Sequence, residues 1–245
     1  MKKVYIRQTA GLGDIFFLQK AANYLLESGY NEIIWPIINH YEYLKEYNTN
    51  DKIKFILENE LSDDVKKVYK EDKIILDENY LYIPFDKSAQ IKRDFIDFLG
   101  VKYSLIKGLD YSNWQKFCNF KRFEDREEKC KQYFNISDGD EFIFVNSIFA
   151  SPPNHHKRDM VINTNVKIVE NKHEYMSLFN IFDYSWILEN AKEIHTVETS
   201  ICYLVEILNT GGKLNLYSRK IGYNTQYANF DYVKNIYKKD WKYIL

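Results

Sequence analysis

Val4-Tyr5-Ile6-Arg7-Gln8-Thr9-Ala10-Gly11-Leu12-Gly13-Asp14-Ile15 is the stretch that decides the fold. Val4-Tyr5-Ile6 is a short apolar run suited to a strand. From Ile15 onward, Ile15, Leu18, Ala22, Leu25 and Leu26 share one face of a helix. Ser28-Gly29 supplies the helix stop. The unit is therefore strand, glycine-bearing turn, helix, with a carboxylate at the helix entrance. In open α/β sheets ligands bind in the crevice beyond the carboxyl ends of the strands. Asp14 is expected at that edge.

Two glycines one residue apart after a first strand suggest a dinucleotide loop. That fingerprint needs a third small residue three positions after the second glycine, and here the position holds Phe16. Asp14 also opposes phosphate: two like charges about 4 Å apart repel by roughly 4 kcal/mol at an effective dielectric near 20. No Gly-Lys-Ser/Thr follows, so the turn is not a P-loop either. By itself, a carboxylate in a first helical turn is explained by the helix dipole, worth about 0.3–1 kcal/mol.

Further along, Glu32–Ile37 and Lys52–Ile56 read as buried strands, with a short helix over Tyr41–Tyr47 between them. The β-α-β-α-β order is that of a doubly wound parallel sheet. Lys73–Leu76 and Tyr80–Ile83 are two more short strands, and Gly100 ends a helix begun near Ser88. Asn113 to Phe134 has a helical pattern, with Glu124–Lys131 as a charged, solvated face. Asn135-Ile136-Ser137-Asp138-Gly139-Asp140 breaks it, which predicts two domains, 1–135 and 136–245. Asp138-Gly139-Asp140 matches the Asp-x-Asp metal signature of sugar transferases. It precedes its strand, however, where Asp-Gly serves as a turn.

Glu141–Ser147 is the clearest strand, apolar enough to be buried on both faces. The polar loop after it carries His155, His156, Lys157 and Arg158. Lys157 and Arg158 could supply a cation and hydrogen-bond donors to a diphosphate. Adjacent histidines in an extended loop point apart and have no third ligand at metal spacing. Thr164–Glu170 is a strand and Tyr175–Leu188 a helix. Glu193–Val197 is then a strand feeding a helix over Ser200–Leu208, whose amino end Thr199 or Ser200 can cap. Such an end offers backbone N–H groups to an anion, with Glu198 just before it. Lys213–Ser218 is a last strand and Asp231–Lys242 a closing helix.

Arg7-Gln8-Thr9-Ala10-Gly11-Leu12-Gly13-Asp14-Ile15 with Ala21-Ala22 in the following helix resembles the amino-terminal signature of the ADP-heptose lipopolysaccharide heptosyltransferases. Glu198-Thr199-Ser200-Ile201-Cys202-Tyr203-Leu204 is similar to that family's Asp-Thr-Gly-Leu-Ser-His-Leu, with Gly replaced by Ser and His by Tyr. The likeness covers two short patches, in the expected order, of a chain shorter than the usual members. It implies a compact GT-B architecture: two Rossmann-like β/α/β domains facing across a cleft. It further implies Asp14 as catalytic base and Arg7 and Gly13 on the acceptor side. Glu198, Thr199 and Ser200 would bind a nucleotide-diphosphate-sugar, helped by Lys157 or Arg158. The implied reaction is inverting, metal-independent glycosyl transfer to a glycan or glycolipid, with no cofactor.

Composition sets the outer limits. The chain has 245 residues, with 34 Lys plus Arg against 35 Asp plus Glu and a net charge of −1, so no global field draws it to nucleic acid. Three widely spaced cysteines, Cys118, Cys130 and Cys202, form neither a zinc pattern nor a disulfide framework, and suit a reducing, cytoplasmic setting. No apolar run approaches a membrane span, and no signal peptide is expected. Two other readings stay open: a Rossmann-type nucleotide-dependent enzyme, and a non-catalytic nucleotide-sugar or glycan-binding module on the same fold.

Overall fold

Val4 and Ile6 have no exposure to solvent. Burying a side chain of that size contributes about 1.5–3 kcal/mol, which fixes β1 (Lys3–Ile6) as an interior strand. The computed structural model describes residues 2–91, 99–149, 156–219 and 230–245. The chain divides into two units, Met1–Lys121 and Arg122–Leu245.

In the first unit β1 is followed by α1 (Leu12–Phe17), α2 (Gln19–Glu27), β2 (Glu32–Ile37), α3 (Leu44–Tyr47), β3 (Ile53–Leu57) and α4 (Asp63–Val68). A hairpin of β4 (Ile75–Leu76) and β5 (Tyr80–Ile83), then α5 (Ser88–Ile91) and α6 (Gly100–Tyr103), complete it. The sheet order is β3-β2-β1-β5-β4. Val4 is level with Ile33 on one side and Leu81 on the other, in parallel register; only β4 runs antiparallel. Trp35, Phe16 and Phe17 are fully buried, and Phe17 meets the Tyr103 ring edge-on at 4.8 Å.

The second unit runs α7 (Glu124–Tyr133), β6 (Phe142–Asn146), β7 (Ile148–Phe149), β8 (His156–Lys157), β9 (Lys167–Glu170), α8 (Ser185–Asn190) and β10 (Glu193–Val197). It closes with α9 (Ser200–Ile207), β11 (Lys213–Tyr217), α10 (Asp231–Lys234) and β12 (Trp241–Ile244). Its sheet is wholly parallel, in the order β12-β11-β10-β6-β9, and β7–β8 is a separate antiparallel pair. All five residues of β6 are buried, as its apolar sequence predicts. Gly212 is required before β11: a Cβ there would lie 2.2 Å from the Ala191 carbonyl oxygen.

Several elements depart from the sequence reading, each for a local reason. The first helix begins at Leu12 because Gly11, at φ +80°, turns the chain early, and it is divided from α2 at Leu18. Gly100 opens α6 and does not end a helix with a left-handed turn; residues 92–98 of the expected Ser88–Leu99 helix lie outside the described residues. The unit boundary falls at 121/122, before the charged helix. That helix belongs to the second unit because Arg126 pairs with buried Asp183 at 3.1 Å and Arg122 with Glu189 at 3.0 Å. Glu127, Cys130 and Lys131 of the charged run are buried in the process. The expected closing helix over Asp231–Lys242 gives way to a short α10 and a fifth strand. Buried Glu206 accepts hydrogen bonds from the Lys238 and Lys239 amides and from Trp241 Nε1, which turns the tail into the sheet. The Tyr175–Leu188 helix is two 3-10 turns, His173–Ser177 and Ile181–Tyr184, followed by α8.

Candidate active site

Gly11 sits at the amino end of α1, and its conformation makes Asp14 the third helical residue. The Asp14 side chain folds back over the turn, so that a Cβ on Gly11 would stand 2.5 Å from its Oδ2. Glycine is therefore dictated twice here, by backbone conformation and by space. Asp14 Oδ1 is buried without a well-aligned hydrogen bond among the described residues, while the side chain as a whole is 24% exposed. Lys102 Nζ lies 3.3 Å from that oxygen and donates at 2.5 Å to Gln8 Oε1. Gln8 in turn donates from Nε2 to the Ala10 carbonyl at 2.6 Å, and its own carbonyl accepts from Trp35 Nε1. The Asp14 carboxylate is thus held beyond the carboxyl end of β1, with part of its surface open to water. Gly13 is half-buried one residue before it.

Arg7, expected on the acceptor side, is buried. It donates to Asp86 and Asp72 at 2.8 and 2.7 Å and to the Tyr69 and Glu71 carbonyls at 2.6 and 3.0 Å. Burial works against its charge, and the Asp72 and Asp86 carboxylates outweigh that, holding its pKa above the usual value. Beside it opens a cavity of about 520 Å³ lined by Arg7, Leu61 and Tyr69, with Lys66, Lys67 and Lys70 among its charged members. Asp63 and Glu58 also line it, so the cavity carries both signs of charge.

In the second unit the expected donor residues cluster at the carboxyl end of the sheet. Thr199 caps α9, its Oγ1 accepting from the Ile201 amide at 3.3 Å. Asn146, at the end of β6, donates to Thr196 Oγ1 at 3.0 Å and to Thr199 Oγ1 at 3.1 Å, and accepts from Asn171 at 3.0 Å. The sequence did single out β6 but not Asn146; a polar residue ending an otherwise apolar strand was the available signal. Ser200 is the first residue of α9 and half-buried.

Glu198 is 4% exposed. Its Oε2 pairs with Arg219 Nη2 at 2.7 Å, its Oε1 accepts from Tyr237 at 3.2 Å, and Arg219 Nε donates to its carbonyl. Arg219 thus joins the group. Arg158 approaches Ser218 Oγ at 3.5 Å, while its Nε is buried with no hydrogen-bond partner among the described residues. Lys157 is exposed and pairs with Glu170 at 3.4 Å. His156 is exposed in β8 against the Phe149 ring, and His155 lies outside the described residues.

Asp138-Gly139-Asp140 is a turn with Gly139 at φ +88°. Asp140 accepts from the Ser137 amide and Asp138 pairs with Lys131. Among the described residues no cluster of His, Cys, Asp and Glu could hold a metal, and no helix is long and apolar enough to cross a membrane. Cys118, Cys130 and Cys202 are buried free thiols; burial pushes the Cys202 thiol far above its ordinary range.

No family model and no curated protein matches the sequence. Among solved structures, the chain is similar to a glycosyl transferase family 9 protein from Veillonella parvula, at 12% identity and a TM-score of 0.52 over 88% of this chain and 80% of that one. E. coli ADP-heptose LPS heptosyltransferase II aligns at 10% identity and a TM-score of 0.45, over 89% and 84%. E. coli heptosyltransferase WaaC aligns at 11% and 0.40, over 91% of each. With its two parallel-sheet α/β units, the chain has the fold of the Veillonella family 9 glycosyl transferase.

Proposed function

We propose that this chain is a glycosyltransferase that moves a sugar from a nucleotide-diphosphate donor to a hydroxyl of a glycan or glycolipid, with inversion and without a metal. The observation that carries the reading is Asp14, a partly open carboxylate fixed at the carboxyl edge of the first sheet, on a fold shared with a glycosyl transferase. Asp14 takes the proton from the attacking acceptor hydroxyl; a positioned base is worth about 10²–10⁴-fold.

The donor diphosphate is assigned to the amino end of α9, at Thr199 and Ser200, with Arg158 and Lys157 as its cations. Fixed dipoles and guanidinium groups there stabilise the charge that develops on the leaving group. Arg158 supports this, because a buried guanidinium nitrogen with no partner among the described residues is suited to an anion. Glu198, buried behind Arg219, acts on the donor through that guanidinium. On the acceptor side, the cavity beside Arg7 is assigned to an acidic group of the acceptor, with Lys66, Lys67 and Lys70 outnumbering Glu58 and Asp63 in its lining and Gly13 bordering the reacting hydroxyl.

A thermal-shift screen against UDP, GDP, ADP, CMP, their sugars and NAD(P), followed by a transfer assay with the stabilising donor, tests the reading. Stabilisation by a nucleotide-sugar and slow hydrolysis or transfer are expected. A flat screen, or stabilisation by NAD(P) alone, rejects it.

A further inference from the structure

Lys102 is 5% exposed, and a lysine that deep is rare unless a partner keeps its charge. Among the described residues two groups meet its ammonium: Gln8 Oε1 at 2.5 Å and Asp14 Oδ1 at 3.3 Å. Gln8 is itself 6% exposed and pinned to the Ala10 carbonyl, so the ammonium has a fixed address. Its backbone is fixed as well, since α6 also carries Tyr103, whose hydroxyl donates to the Phe17 carbonyl at the end of α1. Asp14 Oδ1 is the buried oxygen of its carboxylate, so the exposed part of the group is the remainder. Gly11 bounds that remainder from the other side.

We propose that Lys102 is a positioning residue for Asp14: it anchors the buried carboxylate oxygen so that the other oxygen faces the acceptor hydroxyl. The proposal rests on the transfer reading above. During the reaction Asp14 gains the acceptor proton as the acceptor oxygen bonds to the anomeric carbon and the nucleoside diphosphate leaves. The Gln8 contact of Lys102 does not depend on the charge of the carboxylate. Misplacement of a reacting group by about 1 Å costs on the order of 10²-fold.

Steady-state kinetics of the full chain with the donor found by the screen provide the test. Lys102→Met is expected to lower kcat by at least about tenfold while the donor KM stays within about twofold, the pattern of an interaction needed only for the chemical step. In an Asp14→Asn background the same substitution is expected to cost almost nothing more, because the two residues act as one unit. Lys102→Ala is expected to regain turnover on addition of propylammonium, which matches the three carbons and the ammonium that alanine lacks; a scaffold role would not respond. Should Lys102→Met fail to fold, Lys102→Arg carries the same comparison, with a smaller loss expected. Equal kcat in wild type and variant, or a full additional loss in the Asp14→Asn background, overturns the proposal. Absence of transfer by the wild type from every donor tested sinks the transfer reading, and the role of Lys102 with it.

Discussion

Gly11 leaves vacant the space that the Asp14 carboxylate uses: a Cβ on the glycine would lie 2.5 Å from Asp14 Oδ2. Gly11→Ala therefore strains the backbone, at φ +80°, and displaces the carboxylate in one change. A left-handed conformation costs a residue with a Cβ about 1–2 kcal/mol. The expected outcome is a loss of that order in urea denaturation, together with a fall in kcat that exceeds any change in donor affinity. A variant as stable and as active as wild type would show that the carboxylate can be placed elsewhere.

Asp14→Asn retains the shape and removes the base. Turnover is expected to drop by at least about 10²-fold. Calorimetric donor affinity should stay close to wild type, since the donor is assigned to the other unit. Unchanged turnover would assign Asp14 to the helix dipole alone.

The first motif was legible because the constraints on it are local. A strand, a glycine-bearing turn and an amphipathic run follow from sequence spacing, and β2, β5 and β10 span the residues expected of them. Lys102 was not legible: nothing around Gly100-Val101-Lys102 distinguishes a lysine buried against Asp14 from one in solvent. Their contact spans 88 positions and depends on tertiary packing. The same holds for Asn146, whose partners Thr196 and Thr199 are brought to it by the pairing of β6 with β10. Arg7 was expected on the acceptor side, and its burial was not legible because Asp72 and Asp86, which neutralise it, are 65 and 79 positions away. The closing strand was missed because Glu206, on α9, organises it from 35 residues upstream of Trp241.

Thr199 has two structural duties, capping α9 and accepting from Asn146. Thr199→Ala should cost about 1 kcal/mol of stability, the usual value of an N-cap. It should also weaken the donor measurably in calorimetry. Thr199→Ser, which keeps the hydroxyl, is expected to restore both. If stability falls with donor affinity unchanged, the cap is structural and the donor lies elsewhere.

Lys66 and Lys70 belong to the cavity beside Arg7. Both are exposed, so replacing them should leave stability within about 0.5 kcal/mol. A Lys66→Glu/Lys70→Glu pair is expected to raise the KM for an acidic acceptor several-fold, more at low salt than at high salt. The donor KM should not move. An acceptor KM indifferent to both charge and salt would place the acidic group somewhere other than this cavity.

His195, in the middle of β10, contributes a pH dependence to the stability of the second unit. Its Nδ1 lies 3.0 Å from the Tyr217 hydroxyl and its Nε2 3.1 Å from Glu193 Oε2. In a neutral ring Nε2–H donates to the carboxylate and Nδ1 accepts from the phenol. Burial holds the histidine below its ordinary pKa of 6.5, with Lys242 adding to the effect and Glu193 opposing it. The unfolded chain therefore binds the proton more readily than the folded one, and stability rises with pH wherever that is so. Acidification from pH 7 should begin to destabilise the protein as pH falls through 6.5. This contribution should level off once pH is below the folded pKa. Melts of wild type and His195→Gln between pH 5 and pH 8 isolate it: the difference between the two curves should grow toward low pH, in favour of the variant. A difference independent of pH would mean that His195 takes up its proton equally well in both states.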